Sequence, residues 1–165
     1  MAQIDVKERM EQEDTQKGKF LNFSMGSEMY GIEVRNVIEI IGILPMTEVP
    51  ELPVYIKGII NLRGKIIPVM DVRLRFKKPF KEYNDRTCII VIDIDDTYIG
   101  LIVDSVTEMV WIPEDEIVDL PEVNKTGNRY IKGIGKVGNE VRLILDCYQL
   151  LTDSDLENLN SSVFS

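Results

Sequence analysis

GIEVRNVIEI (31–40) returns as GLIVDSVTEM (100–109), and YIKGI (55–59) returns unchanged at 130–134. The first match, 69 residues apart, sets Val34 on Val103, Val37 on Val106 and Glu39 on Glu108. The second, 75 residues apart, sets Asp71, which closes KIIPVMDV, on Asp146, which closes EVRLILDC. The chain is therefore a duplicated unit. The six extra residues of the second copy fall in the stretch holding 121–129, which reads as a longer loop. Around the repeats the apolar residues alternate or cluster in short runs between turn residues, which is strand behaviour. Strands are expected over 20–25 and 29–34 about a turn at Gly26 and Ser27, with Tyr30, Ile32 and Val34 on one face. Two more, 58–62 and 65–70, flank a turn at Arg63 and Gly64; in the second copy 87–94 and 98–103 flank Asp95 and Asp96. The spacing of Val34, Val37, Ile38 and Ile41 predicts a short helix after the second strand, and 105–109 predicts another. Pro45, Pro50 and Pro53 forbid regular helix or central strand between these segments, so an extended connection is expected.

Each copy thus offers about five short strands, and a unit of that size and composition closes into a small barrel, which removes exposed sheet edges. Neither barrel buries enough apolar surface to stand alone, so the two should share a core along a seam. The 165 residues leave room for one compact domain or two very small ones, and 44% apolar with 28% charged residues is the composition of a globular chain. The organisation expected is a polar N-terminal arm over 1–18, a folded domain over 19–151 built from units of about 19–76 and 86–151, and a tail over 152–165.

Composition also excludes chemistry. With no histidine there is no Ser-His-Asp or Cys-His nucleophile pair, no histidine metal ligand and no phosphoryl-accepting histidine. A net charge of −9 opposes the phosphate neutralisation that nucleic-acid binding requires, so no nucleic-acid partner is expected. No apolar run approaches the roughly 20 residues of a membrane helix, and the start lacks the apolar stretch of a signal peptide. A cytoplasmic protein without direct membrane insertion is the expectation. Cys88 and Cys147 sit among apolar residues, the setting of buried thiols. Asp93, Asp95 and Asp96 are the densest carboxylates, but no glycine and distal glutamate follow in calcium-loop spacing, and the last two suit a hairpin turn. Glycines are dispersed at turns and form no phosphate-cradling loop. No catalytic residue, metal or cofactor is assigned, and the residues describe a binding module. Between the copies lies RLRFKKPFKEYNDR (73–86), with six basic and two acidic residues, which reads as a solvated linker or, more sharply, a docking patch.

EMYGIEVRNVIEI (28–40), YIKGIINLRGKIIPVMDVRLRF (55–76) and YIGLIVDSVTEMV (98–110) resemble the CheW family, the coupling proteins of bacterial chemotaxis, over about 19–151. The resemblance implies an all-β fold with a few short helices: two intertwined five-stranded SH3-like barrels sharing a core, with strand exchange between them left open. It implies a non-catalytic scaffold that links the cytoplasmic tips of methyl-accepting chemoreceptors to the regulatory domain of the histidine kinase CheA, recruited to membrane-associated receptor arrays. By the same resemblance the receptor groove between the barrels would include Val37, Glu39, Arg63 and Val106, with Arg63 facing Glu39. The kinase-facing surface would include Ile40, Met46 and Gly58, the last because a bare Cα permits close backbone approach. The second copy keeps the acid as Glu108 but has Gly138 at the position of Arg63.

Overall fold

Four hairpins organise the chain, and every turn holds at least one residue in the left-handed region: Gly26, Arg63 with Gly64, Asp95 with Asp96, and Gly138. Such turns match the right-handed twist of the strands they join. The computed structural model describes residues 17–120 and 130–151. The hairpins are β1 (Lys19–Met25) with β2 (Glu28–Glu33), β4 (Ile56–Leu62) with β5 (Lys65–Asp71), β6 (Cys88–Ile94) with β7 (Thr97–Val103), and β10 (Ile131–Val137) with β11 (Glu140–Leu145). Between them run β3 (Val37–Gly42), β8 (Ser105–Trp111) and the short β9 (Ile117–Val118), with helices α1 (Val72–Arg75) and α2 (Cys147–Leu151) after β5 and β11. The tail, most of the N-terminal arm and the loop expected over 121–129 lie outside the described residues.

The helices expected after the second strand of each copy are strands instead. Only Val34–Asn36 forms a 3-10 turn, after which β3 pairs antiparallel with β6, and 105–109 belongs to β8, which pairs antiparallel with β1. The misreading has a physical cause. A bulge in β3 leaves Val37 opposite Ile92 and Ile40 opposite Ile90, so residues three apart share a face. The matching bulge in β8 sets Val106 opposite Phe23 and Met109 opposite Leu21. An inserted residue converts strand alternation into helix-like spacing, and the β-branched run Val37, Ile38, Ile40 and Ile41 favours the strand.

The pairings settle how the copies intertwine. One sheet runs β3-β6-β7-β5-β4 and the other β8-β1-β2-β11-β10-β9, so each copy lends its first hairpin to the rest of the other copy. The exchange is closed in both directions by equivalent parallel pairs, Val69 with Gly100 and Ile144 with Gly31. Equivalent hydrogen bonds also recur: Asp71 N–H donates to the Tyr55 carbonyl, and Asp146 N–H to that of Tyr130, each at 2.7 Å. The largest core cluster draws Phe23, Tyr30 and Ile32 from the first copy and Ile90, Ile92, Leu101 and Leu145 from the second, while smaller clusters fill each sheet. The core is therefore shared along the seam.

The basic segment 73–86 is not wholly a solvated linker. Its first turn is α1, capped by the Asp71 carboxylate accepting from Leu74 N–H, and Arg75 is buried at the seam. The Arg75 guanidinium lies 4.5 Å from the Tyr55 ring and 4.6 Å from the Tyr130 ring, the equivalent tyrosines of the two YIKGI copies. Phe76 stacks on Tyr130 at 5.4 Å and leans on Tyr30, which stacks on Phe23. Cys147 is buried, which pushes its thiol up to about 12, while Cys88 is half-buried; both are free.

Asp104 clamps the seam: it accepts from Arg73 Nε at 2.8 Å and Nη2 at 2.7 Å and from Gly26 N–H at 2.7 Å. Hydrogen bonds from Arg73 hold its carboxyl below the usual carboxylate range. The stabilisation is therefore present above the ordinary carboxylate value of about 3.9 and is lost as the pH falls through the depressed folded value. Asp104→Asn should cost about 1–3 kcal/mol at neutral pH, and the gap to the parent should close in thermal melts run toward pH 3.

Candidate functional site

β3 and β4 are the two edges of the five-stranded sheet. Unpaired edges invite wrong association, and here two links join them. Thr47 and Ile59 exchange N–H···O=C bonds of 2.9 Å in both directions. Beyond them the Arg63 guanidinium forks onto both oxygens of Glu39, Nη2 to Oε1 and Nη1 to Oε2, the latter at 3.3 Å. The bidentate geometry fixes the guanidinium plane as a lysine would not. The Arg63 side chain is 70% exposed against 25% for Glu39, so the pair presents a cation on a partly covered acid. Asn61 Oδ1 accepts from Gly64 N–H at 2.8 Å and holds the turn.

Arg63 occupies this position at a cost. Its φ is +52°, a conformation that costs a side-chain-bearing residue about 1–2 kcal/mol. Gly138, its mate in the second copy, adopts +62° without that penalty, and Glu108, the mate of Glu39, is exposed. The two turns thus share a left-handed residue at this position and differ in its chemistry, as the sequence asymmetry implies.

Val37 and Val106 occupy equivalent places. Each is half-buried, opposite Ile92 and Phe23 respectively, and leans on the core cluster that spans the seam. Both share their burial between core and surface. On β3 the neighbours Ile38 and Ile40 are 45% and 43% exposed. Ile38 is not singled out by the sequence, because the spacing there predicts a helix where the bulge lies. The bulge leaves this apolar side chain on the surface, and its signal was the break in alternation after Val37.

The kinase-facing candidates separate. Ile40 is exposed, Met46 is half-buried over the core of the five-stranded sheet, and Gly58 is buried. A Cβ on Gly58 would sit 2.5 Å from the Thr47 carbonyl oxygen and 3.4 Å from Met46 Cβ, and φ there is +153°. The close approach that a bare Cα permits is taken by this chain's own backbone, so Gly58 offers no surface to a partner. Gly133, its mate, is approached in the same way by Ile117 and the Val118 carbonyl, at 2.9 and 3.2 Å. The repeated YIKGI glycine thus sits at a bulge and beside an antiparallel neighbouring segment in both copies.

Asp95 and Asp96 are exposed hairpin residues at φ +50° and +65°, and among the described residues no group of three metal-ligating side chains comes together. A groove of about 420 Å³ lies between Phe20, Glu33, Arg35 and Trp111, and none of the site residues expected from the sequence lines it. Among the described residues no helix is long and apolar enough to cross a membrane.

Comparison with known proteins adds three findings. Residues 19–155 match the family described as CheW-like domain. The chain is 36% identical over 146 residues to "Chemotaxis protein CheW" of Bacillus subtilis, covering 88% of this chain and 92% of that one, and 32% identical over 139 residues to the protein of the same name from Klebsiella aerogenes, covering 84% of each. Among solved structures it resembles the "scaffolding protein TtCheW from Thermoanaerobacter tengcongensis" with a TM-score of 0.78 and 35% identity, over 84% of this chain and 94% of that chain.

Proposed function

The chain belongs to the CheW-like domain family, and from that premise we propose that this chemotaxis adaptor couples the cytoplasmic tips of methyl-accepting chemoreceptors to the histidine kinase CheA. The observation that carries the proposal is the Arg63–Glu39 fork: an exposed, oriented cation kept at a strained turn where the duplicated copy has glycine. An exposed ion pair is worth about 0–1 kcal/mol, too little to offset the cost of the turn by much, so a use outside folding accounts for it better. The receptor face comprises Val37, Glu39, Arg63 and Val106, half-apolar and half-charged, the mixture that seats a helical hairpin by a few anchors. The kinase face comprises Ile40 and Met46, with Gly58 beneath them holding the Met46 and Thr47 backbone in place. Localisation follows the partners: cytoplasmic, at receptor arrays.

Val37→Asp tests the receptor face. Loss of an anchor costs an interface about 1–3 kcal/mol, so titration calorimetry with a receptor cytoplasmic fragment should show five- to hundredfold weaker binding. Because Val37 also touches the core, the melting temperature should fall by a few degrees, and Val37→Ala should share that fall while keeping most of the affinity. Equal affinity for Val37→Asp and the parent would reject the assignment.

A further inference from the structure

The basic segment between the copies holds none of the residues assigned above to the coupling role. Asp71, buried at the base of α1, accepts the Tyr83 hydroxyl at 2.8 Å, and the Tyr83 ring meets Phe80 edge-on at 5.4 Å. Lys57 Nζ then lies 5.0 Å over the other part of this platform, the Phe80 ring, which is 52% exposed. Lys77 is exposed at the left-handed end of α1, where its N–H donates to the Leu74 carbonyl and that of Lys78 to the Arg73 carbonyl, so the backbone is held. Lys78 meets Glu28 at 3.2 Å, and Lys81 stands 3.9 Å from Asp104, a carboxylate already taken by Arg73 and Gly26. Among the described residues Lys57 and Lys77 have no carboxylate within ion-pair distance. A chain of net charge −9 thus carries Lys57 over the exposed Phe80 ring and Lys81 next to that ring in sequence, within a segment of six basic residues against the two acids Glu82 and Asp85.

We propose that Lys57, Phe80 and Lys81 form a docking surface for a short acidic peptide segment of a partner protein, with one apolar side chain laid on Phe80 between carboxylates that meet the lysines. Charge complementarity selects the class of occupant: the segment is a locally positive stretch of an acidic chain, and the Lys57 ammonium, already held over the Phe80 ring, is placed to meet a carboxylate. A short segment suits the site better than nucleic acid, because a long polyanion would run onto the acidic remainder of the surface. The ring is held through Tyr83 by a buried carboxylate, which removes part of the ordering cost of binding.

The test is fluorescence anisotropy with the full chain and a labelled nonapeptide in which two runs of four glutamates flank one phenylalanine. Binding is expected to weaken more than tenfold in the Lys57→Glu, Lys81→Glu double variant, three- to tenfold in Phe80→Ala, and more than tenfold as salt rises from 50 to 500 mM, with melting temperatures close to the parent's. Undiminished binding by the double variant would overturn the proposal. So would equal affinity for a single-stranded oligonucleotide lost in the same variant, which would make the patch a general polyanion site. A tenfold gain on neutralising Asp153, Asp155 and Glu157 together would overturn it too, by making the chain's own acidic stretch the occupant. Receptor and kinase titrations of the double variant should match the parent, which separates this outcome from any failure of the coupling role.

Discussion

Gly58→Ala is expected to destabilise the protein by about 2–4 kcal/mol, a fall in melting temperature of roughly 5–15 °C. The added Cβ would stand 2.5 Å from the Thr47 carbonyl oxygen, a backbone atom that exchanges hydrogen bonds with Ile59 and cannot swing aside as a side chain would. The backbone at φ +153° adds strain for any residue with a side chain. Gly133→Ala provides the internal control. There the nearest backbone atom, the Val118 carbonyl oxygen, stands at 3.2 Å rather than 2.5 Å, the closest atom is the Ile117 Cγ2 methyl at 2.9 Å, and the backbone is not left-handed, so the cost should be about 1–2 kcal/mol. Kinase affinity measured on the folded fraction of Gly58→Ala should fall less than the stability loss implies. A variant that melts with the parent yet fails to bind the kinase would instead make Gly58 a direct contact.

Arg63→Gly is expected to leave the fold as stable as the parent or up to about 1 kcal/mol more stable, while receptor-dependent kinase activation falls at least tenfold. The substitution relieves a left-handed arginine and installs the residue that the second copy uses at the same turn, Gly138. The fork onto Glu39 is lost, but an exposed pair contributes about 0–1 kcal/mol. Stability and activity would then move in opposite directions, which no structural role for Arg63 explains. Arg63→Lys should recover part of the activity, since it keeps the charge without the planar fork. Wild-type activation by Arg63→Gly would remove Arg63 from the partner surface.

The duplication, three of the four hairpin turns and the rough bounds of the strands that flank them were legible because turn residues and alternation are local signals. Which strand pairs with which beyond the hairpins was not. Nothing in 19–25 says that its second neighbour will be Ser105–Trp111, because that pairing is decided by the seam core that only the folded chain assembles. Val37 and Val106 were read as helical because a bulge imitates a helical period over a few residues. At Gly58 the sequence announced a close approach but not whose backbone makes it. The contrast between Arg63 and Gly138 was legible before any coordinates, since it needs only the two offsets. The cost that gives the contrast meaning needed the φ of +52°. Asp71 shows the same division: its repeat position was plain, whereas its hold on Tyr83 and through it on Phe80 was not.

The central claim, that this chain is the coupler between receptor and kinase, is tested most directly by measuring CheA autophosphorylation on membranes carrying a chemoreceptor, with and without the full chain. The account predicts that kinase activity rises strongly when all three components are present, that attractant suppresses the rise, and that Arg63→Gly at the same concentration leaves activity near the level seen without the chain. Receptor control of the kinase that is identical with and without the chain would contradict it.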